Sequence, residues 1–497
     1  MTPSPGSADL APADRERPDA LRAACRGLPP LSARLEPWMR DLLADPAACT
    51  ALLEEYGSPL NVHDFAPLAR NAAELTAVAD ADGVDLRIFV ARKANKTLGM
   101  VTAVHQAGLG LDVGSHRELE QVLELGVPAD DVVVTAAMKP RPLLRLALDS
   151  GAMLVLDNLD EAAAVDTELA DAPTGHATPG TQRPVALRLA PTPSDLVGPT
   201  RFGESAPTWQ HWAEARDAAH DGLRIEGIHF HLHGYDPYAR ARAVGEALEL
   251  VDALRAMGHR PHFLDIGGGL PMSYLDDAAQ WGAFWEAHAH QAETPSESLT
   301  WRGEPLRQVY PYHQEMIRGP WLRTLLDAEA LAGTRVAEAL RERGLELRCE
   351  PGRSMLDGCG MTLARVLQRT STSDGIPLIG LEMNRTQCRS TSDDFLVDPV
   401  LVSAGGTPSA PVDGFLVGAY CIEAELIQRR RLRFPRGVAV GDVIALPNTA
   451  GYLMHILESA SHQIPLASNV VRDEDGFRRD CIDAVSPLRR WDPAQAG

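Results

Sequence analysis

Residues 87–96 read Arg-Ile-Phe-Val-Ala-Arg-Lys-Ala-Asn-Lys and place a lysine, Lys93, just after an apolar run. The run Ile88–Ala91 is typical of a buried parallel strand, and the polar residues after it are typical of the loop that follows. Loss of solvent at such a strand end lowers the pKa of a lysine and leaves a nucleophilic amine, which can hold a carbonyl compound as a Schiff base. The alternative is a lysine that extends into solvent.

Further β-rich runs follow at regular intervals, and most are separated by Ala- and Leu-rich stretches with helical period. The eight predicted strands are Leu86–Ala91, Leu109–Val113, Val132–Thr135, Met153–Leu156, Val185–Leu189, Ile225–Leu232, His262–Ile266 and Leu345–Cys349. This alternation predicts an α/β fold, a (β/α)8 TIM-type barrel. An open doubly wound sheet is the alternative that the same alternation allows.

Several of these strands end in polar residues. The catalytic groups of such a barrel lie at the C-terminal ends of its strands, so we expect these residues to converge on one mouth. They are Lys93, Asp112, Asp157, Arg188, His231, the Gly267–Gly269 turn and Glu350.

The remaining sequence predicts a second domain. Residues 1–45 have little periodicity and are expected to form a flexible extension, while residues 46–62 are expected to contribute to a β-domain. The barrel is expected over residues 63–358, with a tryptophan-rich insertion at 273–331 that serves as a lid or an interface. Short strands with Gly and Pro turns in residues 359–497 predict an all-β domain.

Composition limits the partners and the compartment. The 47 basic and 68 acidic residues give a net charge of -21, which argues against nucleic acid and against an anionic membrane as partners. Seven cysteines without a Cys-x-x-Cys pair argue against a disulfide framework or a structural zinc site, and predict a cytoplasmic protein with reduced thiols. Neither a signal peptide nor an apolar run of about 18 residues is present.

Two glycine-containing motifs follow predicted strands. The turn Gly267–Gly269 lets the backbone bend sharply and aim N–H groups at an anion such as a phosphate. The run Glu350-Pro351-Gly352-Arg353 offers a carboxylate that can keep a heterocyclic nitrogen protonated and a guanidinium that can bind a phosphate or carboxylate. A plain tight turn and a structural ion pair are the alternatives.

Three histidines, His229, His231 and His233, alternate along the sixth predicted strand and are expected to face the same side. They predict either a metal ligand set or an imidazole that lies on an aromatic cofactor ring. We prefer stacking by His231 and no metal, because no further cluster of His and Asp ligands is evident. His229 is expected to be a core histidine.

Taken together, these motifs resemble the fold-type III pyridoxal-phosphate decarboxylases, which include diaminopimelate and ornithine decarboxylases. The similarity covers roughly residues 50–470 and indicates a divergent branch. The resemblance implies an alanine-racemase-like barrel with a C-terminal β-domain, in a homodimer with shared active sites. It is carried by Lys93-Ala94-Asn95, His231, Gly267–Gly269, Glu350–Arg353, Gly418 with Cys421, and Gly451-Tyr452.

Roles follow from this resemblance alone. Lys93 would form the Schiff base with pyridoxal 5'-phosphate, His231 would stack on its ring, and Glu350 would keep the ring nitrogen protonated. Cys421 of the partner subunit would protonate the quinonoid intermediate left after carbon dioxide departs. The other implied cofactor-binding residues are Asp112, Arg188, Gly268, Gly269, Gly352, Arg353 and Tyr452, and the implied substrate-binding residues are Arg353, Glu423 and Tyr452.

The sequence also departs from the family pattern. His233-Gly234 stands where the family has Gly-Ser, and Ile422 stands where it has an acid that recognises a distal amine. Lysine, ornithine and meso-diaminopimelate are therefore poor substrate candidates unless Glu423 or the insertion supplies that acid. Arg92 and Lys96 beside Lys93 indicate a mouth adapted to an anionic substrate.

Three functions are compatible with these residues. A pyridoxal-phosphate amino-acid decarboxylase of specialised metabolism is preferred, because the carboxylate of Glu350 stands where related racemases place an arginine. A racemase or epimerase on the same cofactor and a non-catalytic cofactor-binding protein are the alternatives. A metal-dependent barrel hydrolase ranks behind them.

Overall fold

The computed structural model describes residues 20–171, 182–216, 222–275, 277–291, 297–390 and 395–485. The chain forms two compact units. The barrel unit consists of residues 66–272 and 316–356, and the β unit consists of residues 1–65, 273–315 and 357–497, as far as these are described. This division differs from the expected barrel of residues 63–358 with an insertion at 273–331, because residues 273–315 belong to the β unit.

Eight parallel strands close into a barrel, which confirms the predicted TIM-type fold and rules out an open sheet. Each strand pairs with the next in chain order, and the last strand also pairs with the first. The strands are β1 (Leu86–Ala91), β2 (Gly110–Val113), β3 (Val132–Val134), β4 (Met153–Leu156), β5 (Arg183–Arg188), β6 (Leu223–His229), β7 (Phe263–Asp265) and β8 (Glu346–Cys349).

Helices occupy the connections between the strands, and polar caps fix where several of them begin. The Asp236 carboxylate accepts hydrogen bonds from the N–H groups of Tyr238 and Ala239, and Pro237 occupies the first helical position. The helices of the barrel unit are Ala66–Ala81, Leu98–Gln106, His116–Glu124, Arg141–Ser150, Leu159–Asp171, Ala206–Glu214, Pro237–Ala256, Arg318–Asp327 and Val336–Arg343. None of the helices in the described ranges is long and apolar enough to cross a membrane.

The interior of the barrel is filled by a cluster of buried apolar side chains: Phe89, Val133, Met153, Val155, Ala186 and Phe263. Two glycines make room for the two phenylalanine rings. A Cβ atom on Gly110 would lie 2.4 Å from the ring of Phe89, and one on Gly227 would lie 2.3 Å from the ring of Phe263. The barrel is therefore a packed core and not a pore.

The β unit is built on a ten-stranded sheet, which confirms the predicted all-β architecture of the C-terminal part. The path of the sheet is Arg26–Gly27, Leu432–Phe434, Val412–Val417, Pro377–Leu381, Gly360–Ser371, Leu60–His63, Ser468–Asp473 and Gly476–Arg479. Val443–Pro447 also pairs with Gly360–Ser371, and Val400–Val402 pairs with Val443–Pro447. The strand Leu60–His63 brings the segment before the barrel into this sheet.

The N-terminal part of the chain is more ordered than the sequence predicts. Residues 1–19 lie outside the described residues, but Arg26–Gly27 pairs with Leu432–Arg433 and so extends the sheet. Helix Pro37–Leu43 buries Trp38 and Leu42, and the indole N–H of Trp38 donates to the carbonyl of Gly358 at 2.9 Å. The expected flexible extension is therefore wrong for residues 20–45. A second helix, Pro46–Tyr56, leads into the strand at Leu60.

The aromatic part of residues 273–315 packs within the β unit. The ring of Tyr312 lies 5.6 Å from that of Tyr274 and 6.2 Å from that of Phe395, measured between centroids. Trp281 and Trp285 of helix Ala278–Ala289 form an edge-to-face pair at 5.5 Å. These contacts place the segment in the core of the β unit, so its aromatic residues stabilise that unit.

Candidate active site

Polar side chains replace the apolar cluster at the C-terminal end of the barrel. Side chains alternate along a strand, so the residue two positions after an inward apolar one also faces inward. Val133, Val155, Ala186 and Phe263 of the apolar cluster are followed in this way by polar residues, as are the two glycines Gly110 and Gly227. The resulting set, completed by the residues just beyond β1 and β8, is Lys93, Asp112, Thr135, Asp157, Arg188, His229, Asp265 and Glu350.

Lys93 lies in the turn Arg92–Ala94 that follows β1, and its amine donates to Asp112 Oδ2 at 2.7 Å. The Asp112 side chain is fully buried, whereas 45% of the Lys93 side chain is exposed. Burial alone raises the pKa of Asp112, but the charge and hydrogen bond of Lys93 outweigh it and lower that pKa below its usual value. The hydroxyl of Thr135 donates to the other oxygen of Asp112. The structure thus brings together Lys93 and Asp112, two of the strand-end residues that are expected at one mouth.

Arg92 does not face the mouth. It is buried, and its guanidinium donates to the carbonyl of Asn95 and, at 2.6 Å, to that of Lys96. These bonds hold the turn that carries Lys93. The prediction that Arg92 adapts the mouth to an anionic substrate is therefore wrong, because its charge is used inside the loop.

The glycine turn after β7 lies against His231. The Gly268 N–H donates to His231 Nδ1 at 3.0 Å, and a Cβ atom on Gly267 would lie 2.7 Å from that nitrogen. A Cβ atom on Gly268 would lie 2.7 Å from the carbonyl oxygen of Glu350. Larger residues are therefore excluded here, and the Gly268 N–H is a donor to His231 in this structure.

Arg240, which the sequence analysis does not single out, holds the glycine turn through its backbone carbonyls. It is fully buried, and its Nη2 atom donates to the carbonyls of Gly268 at 2.8 Å and Gly234 at 3.1 Å. At Gly269, where φ is +78°, a Cβ atom would lie 2.2 Å from this nitrogen. Burial lowers the pKa of Arg240 to about 10, which still leaves it charged at neutral pH. The signal for this role is an arginine on the buried face of helix Pro237–Ala256, where an apolar residue would be expected.

The histidine series does not form a ladder. Strand β6 ends at His229, so His231 lies beyond it and His233 is exposed, and the prediction that all three face one side of a strand is wrong. Burial, together with the charge of Lys93, lowers the pKa of His231 to about 3, and its imidazole is therefore neutral. Its Nδ1 atom accepts a hydrogen bond, so the proton of the neutral ring is on Nε2.

Three buried side chains, His229, Asp265 and Glu350, meet at the centre of the site. His229 Nε2 lies 3.3 Å from Glu350 Oε1, and one nitrogen or oxygen of each residue lies within 4.8 Å of the others. Burial and the charge of Asp112 raise the pKa of Glu350, and burial and the charge of Glu350 raise that of Asp265. Burial also lowers the pKa of His229 to about 4. The cluster therefore combines a neutral imidazole with two buried carboxyl groups whose pKa values are raised.

The sequence predicts only part of this cluster. It predicts Glu350 as a functional acid and His229 as an ordinary core histidine, but it does not single out Asp265. Its signal in the sequence was its position, two residues before the glycine turn on an inward-facing site of β7. A divalent ion between these groups would need both carboxyls ionised and would take Glu350 away from a ring nitrogen.

Arg188 is held by ionic and aromatic contacts. Its Nη1 atom lies 3.1 Å from Asp157 Oδ1, and its guanidinium lies 4.4 Å from the ring centroid of Phe202. The indole N–H of Trp209 donates to the Arg188 carbonyl at 2.7 Å. The positive charge of Arg188 is therefore present at the mouth but neutralised by Asp157.

The Glu350–Arg353 turn joins the ends of three strands. The Glu350 N–H donates to the carbonyl of Gly267 at 2.9 Å, and the Pro351 carbonyl accepts from the N–H of Ala91 at 3.1 Å. The Gly352 carbonyl accepts from the N–H groups of Met355 and Leu356, which closes a helical turn. The predicted phosphate-binding residues Gly352 and Arg353 thus lie on a turn tied to the glycine turn and to the end of β1.

The remaining predicted residues, Cys421, Glu423 and Tyr452, belong to the β unit. Val417 and Leu426 form a bridge that closes a short loop, and both Cys421 and Glu423 are exposed on it. Ile422 is 44% exposed. Tyr452 is partly buried and has a φ of +72°. The pKa of Arg302 is raised chiefly by its hydrogen bond to Asp374, and the negative charge of Glu423 also raises it.

Comparison with known proteins agrees with this fold. Residues 69–295 match the family model of the pyridoxal-dependent decarboxylases, pyridoxal binding domain. Over 460 residues, 90% of this chain and 95% of the relative, the chain is 33% identical to the uncharacterized protein y4yA of Sinorhizobium fredii. It is 26% identical over 438 residues to the diaminopimelate decarboxylase of Pseudomonas aeruginosa, covering 83% of this chain and 87% of that enzyme.

Solved structures share the fold at low identity. The diaminopimelate decarboxylase of Helicobacter pylori, solved with L-lysine, superposes with a TM-score of 0.63 at 17% identity and covers 88% of this chain and 97% of its own. The arginine decarboxylase of Paramecium bursaria Chlorella virus, bound to agmatine, gives a TM-score of 0.60 at 17% identity, with 86% and 99% covered.

The chain belongs to the fold-type III pyridoxal-phosphate-dependent decarboxylases, as a divergent branch. Its cofactor is accordingly pyridoxal 5'-phosphate. The residues at the barrel mouth fit that group, because they offer an amine, a turn in which no Cβ atom fits, and a buried acid.

Proposed function

We propose that this protein decarboxylates an amino acid or an amino-acid-derived substrate with pyridoxal 5'-phosphate held at Lys93. The observation that carries the proposal is the Lys93 amine, 2.7 Å from the buried carboxylate of Asp112, at the same end of the barrel as Glu350 and the glycine turn. Asp112 fixes the direction of the amine and holds it in place for the cofactor's aldehyde carbon.

Few residues could bind the cofactor through an amine, because the whole chain has three lysines: Lys93, Lys96 and Lys139. The amine of Lys139 is completely buried and donates to both carboxylate oxygens of Glu161 at 3.0 Å. Lys96 follows the turn held by Arg92, and its own carbonyl is one of the acceptors. Lys93 is the lysine whose amine is both accessible and directed by a carboxylate of the mouth.

The other residues would orient the cofactor. Gly269 and the Gly352–Arg353 turn would receive its phosphate, with Tyr452, while Gly268 shapes the turn and its N–H donates to His231. The neutral imidazole of His231 would lie on the ring, and Asp112 and Arg188 would lie beside it. When bound, pyridoxal phosphate withdraws the electrons left at Cα by a departing group.

Glu350 favours loss of carbon dioxide over loss of the Cα proton. A buried acid at the ring nitrogen would keep that nitrogen protonated and strengthen electron withdrawal from Cα, whereas the related racemases have an arginine at this position. The buried surroundings also favour expulsion of a charged carboxylate. Racemisation or epimerisation at the same carbon remains the alternative, and retention of the carboxyl group in the product would identify it.

Cys421 is proposed to return a proton to Cα from the partner subunit of a homodimer. Its exposure on the short loop between Val417 and Leu426 supports this role, because the thiol is accessible from outside its own β unit. Ile422 beside it stands where the family has an acid, so a distal ammonium would lack that partner, which supports a substrate without one. Glu423, Arg353 and Tyr452 remain the proposed substrate contacts.

A cytoplasmic location is also proposed. All seven cysteines are free thiols in the structure, five of them buried, as is usual for proteins of a reducing compartment.

The proposal is tested by incubating the purified holoenzyme with a panel of amino acids and following carbon dioxide and amine by mass. A substrate that yields both, and that Lys93→Ala leaves intact, supports decarboxylation. Exchange of the Cα proton in deuterium oxide without carbon dioxide would identify a racemase. Bound cofactor with no reaction of any amino acid would indicate a non-catalytic protein.

A further inference from the structure

Asp265 faces the acid that the proposed function assigns to the ring nitrogen. It ends β7, is 1% exposed, and meets Glu350 within hydrogen-bonding reach. Its Oδ1 atom accepts from the N–H of Gly267 at 2.8 Å, so one carboxylate oxygen holds the first residue of the glycine turn. The other oxygen, Oδ2, takes no part in this hydrogen bond.

Asp265 Oδ2 and the facing Glu350 carboxyl group need a proton between them. Among the described residues, no N–H or O–H group donates to Asp265 Oδ2, and the same is true of Glu350 Oε1, although both atoms are buried. A buried oxygen without a donor is costly, and two facing carboxylates cannot both be ionised. A proton on one of the two carboxyl groups removes both problems. The protonated group donates a hydrogen bond, and the ionised group accepts it.

The nearby cations cannot balance two negative charges. Each positive side chain that acts on this pair already has a carboxylate of its own. These ion pairs are Lys93 with Asp112, Arg188 with Asp157, and Arg348 with Glu346. The remaining titratable neighbours are His229, which is neutral because burial lowers its pKa to about 4, and the thiol of Cys349, whose pKa is raised by burial.

We propose that Asp265 is a positioning residue that stays protonated in the holoenzyme and donates its proton to Glu350. Glu350 can then carry the negative charge that a protonated ring nitrogen needs, without a second charge beside it. Because the same carboxyl group accepts from Gly267, it also ties the acid of the ring nitrogen to the turn proposed for the phosphate. This inference rests on the proposed function, since it assigns Glu350 to the ring nitrogen.

The test compares Asp265→Asn with Asp265→Ala by titrating each apoprotein with pyridoxal 5'-phosphate and following absorbance. Asparagine keeps both contacts, because its amide oxygen accepts from Gly267 and its NH2 group donates to Glu350. We expect the Asn variant to bind cofactor nearly as tightly as the wild type. The Ala variant should bind roughly ten- to a hundredfold more weakly, the effect of losing one hydrogen bond to a charged group.

Asp157→Asn is the matched control, because Asp157 also follows a barrel strand but pairs with Arg188 as an anion. It should weaken binding, in contrast to Asp265→Asn. The inference would be overturned if Asp265→Asn bound as weakly as Asp265→Ala, or if Asp265→Ala bound like the wild type. Circular dichroism of each variant shows whether it folds.

An infrared spectrum of the wild-type holoenzyme gives a reading that does not depend on the alanine variant. A band of a protonated carboxyl group should be present in the wild type and absent from Asp265→Asn, and its absence from the wild type would overturn the inference. Neither measurement needs turnover. A wild type that binds cofactor but decarboxylates nothing would contradict the proposed function and leave this result readable, whereas an active wild type whose binding Asp265→Ala does not change would contradict the inference alone.

Discussion

His229 Nε2 lies 3.3 Å from Glu350 Oε1, and both side chains are buried at the C-terminal end of the barrel. The histidine is neutral there, because charging it would place an ion in a site without solvent. This arrangement makes the stability of the barrel unit depend on pH in a defined direction.

We predict that the free energy of unfolding contains a His229 contribution that is lost on acidification. Burial lowers the pKa of His229 from 6.5 to about 4, so between these values the unfolded chain binds the proton and the folded chain does not. Stability from this group is complete above pH 6.5 and falls as the pH drops towards 4, by roughly 3 kcal/mol in all.

Urea unfolding of the wild type and of His229→Asn from pH 7.5 to 4 measures this contribution. Asp265 and Glu350, whose pKa values are raised, act in the opposite direction, so the difference between the two proteins is the informative quantity. The destabilisation caused by the substitution should shrink as the pH falls. A difference that stays constant with pH would contradict the prediction.

Gly227→Ala should destabilise the barrel. The added Cβ atom would lie 2.3 Å from the ring of Phe263 in the packed interior, which costs about 1–3 kcal/mol when a close-packed core is overfilled. Gly198→Ala in the same unit is the control, because no atom lies within 4 Å of its new Cβ. Denaturant unfolding compares the two. Equal midpoints for both variants would show that the barrel interior tolerates the methyl group.

Lys93→Ala should abolish the near-visible absorbance of the bound cofactor, because the covalent link to the protein is lost. Lys96→Ala is the matched control from the same loop and should keep the absorbance. Cofactor-reconstituted protein is measured by ultraviolet–visible spectroscopy after dialysis. Retained absorbance in Lys93→Ala would remove Lys93 from its proposed role.

Cys421→Ala should keep the cofactor's absorbance and lose most of the product formation, since it removes a proton donor and not a cofactor contact. Cys481→Ala, which changes the other exposed cysteine, should be unaffected. If active sites are shared, coexpression of Lys93→Ala with Cys421→Ala should restore activity, because a mixed dimer has one site with both groups intact. Coexpression that gives no more activity than either variant alone would contradict a shared site.

The barrel could be read from the sequence because its strands are buried on both faces. Each appears as a short apolar run, and the observed bounds of β1 and β4 are those predicted, Leu86–Ala91 and Met153–Leu156. The convergence of Lys93 and Asp112 followed from topology, since parallel strands end on one side of a barrel. The barrel fold and the proximity of Lys93 to Asp112 are therefore predictable from the local sequence pattern.

Other features depend on distant contacts that a local pattern does not contain. Strand β6 ends at His229 because His231 turns towards Gly268, 37 residues further along the chain. Arg240 resembles a surface arginine until the turn that it holds is present. Residues 273–315 interrupt the barrel in sequence yet pack in the other unit, and residues 20–45 gain order from pairing with Leu432–Arg433.

The central claim is that one lysine of this chain binds the cofactor covalently, and a single mass measurement tests it directly. The holoenzyme is reduced with borohydride and digested, and the peptide that carries the added cofactor mass is sequenced. The account predicts the modification on Lys93. A modification on Lys96 or Lys139, the other two lysines of the chain, or on none of them, would contradict it.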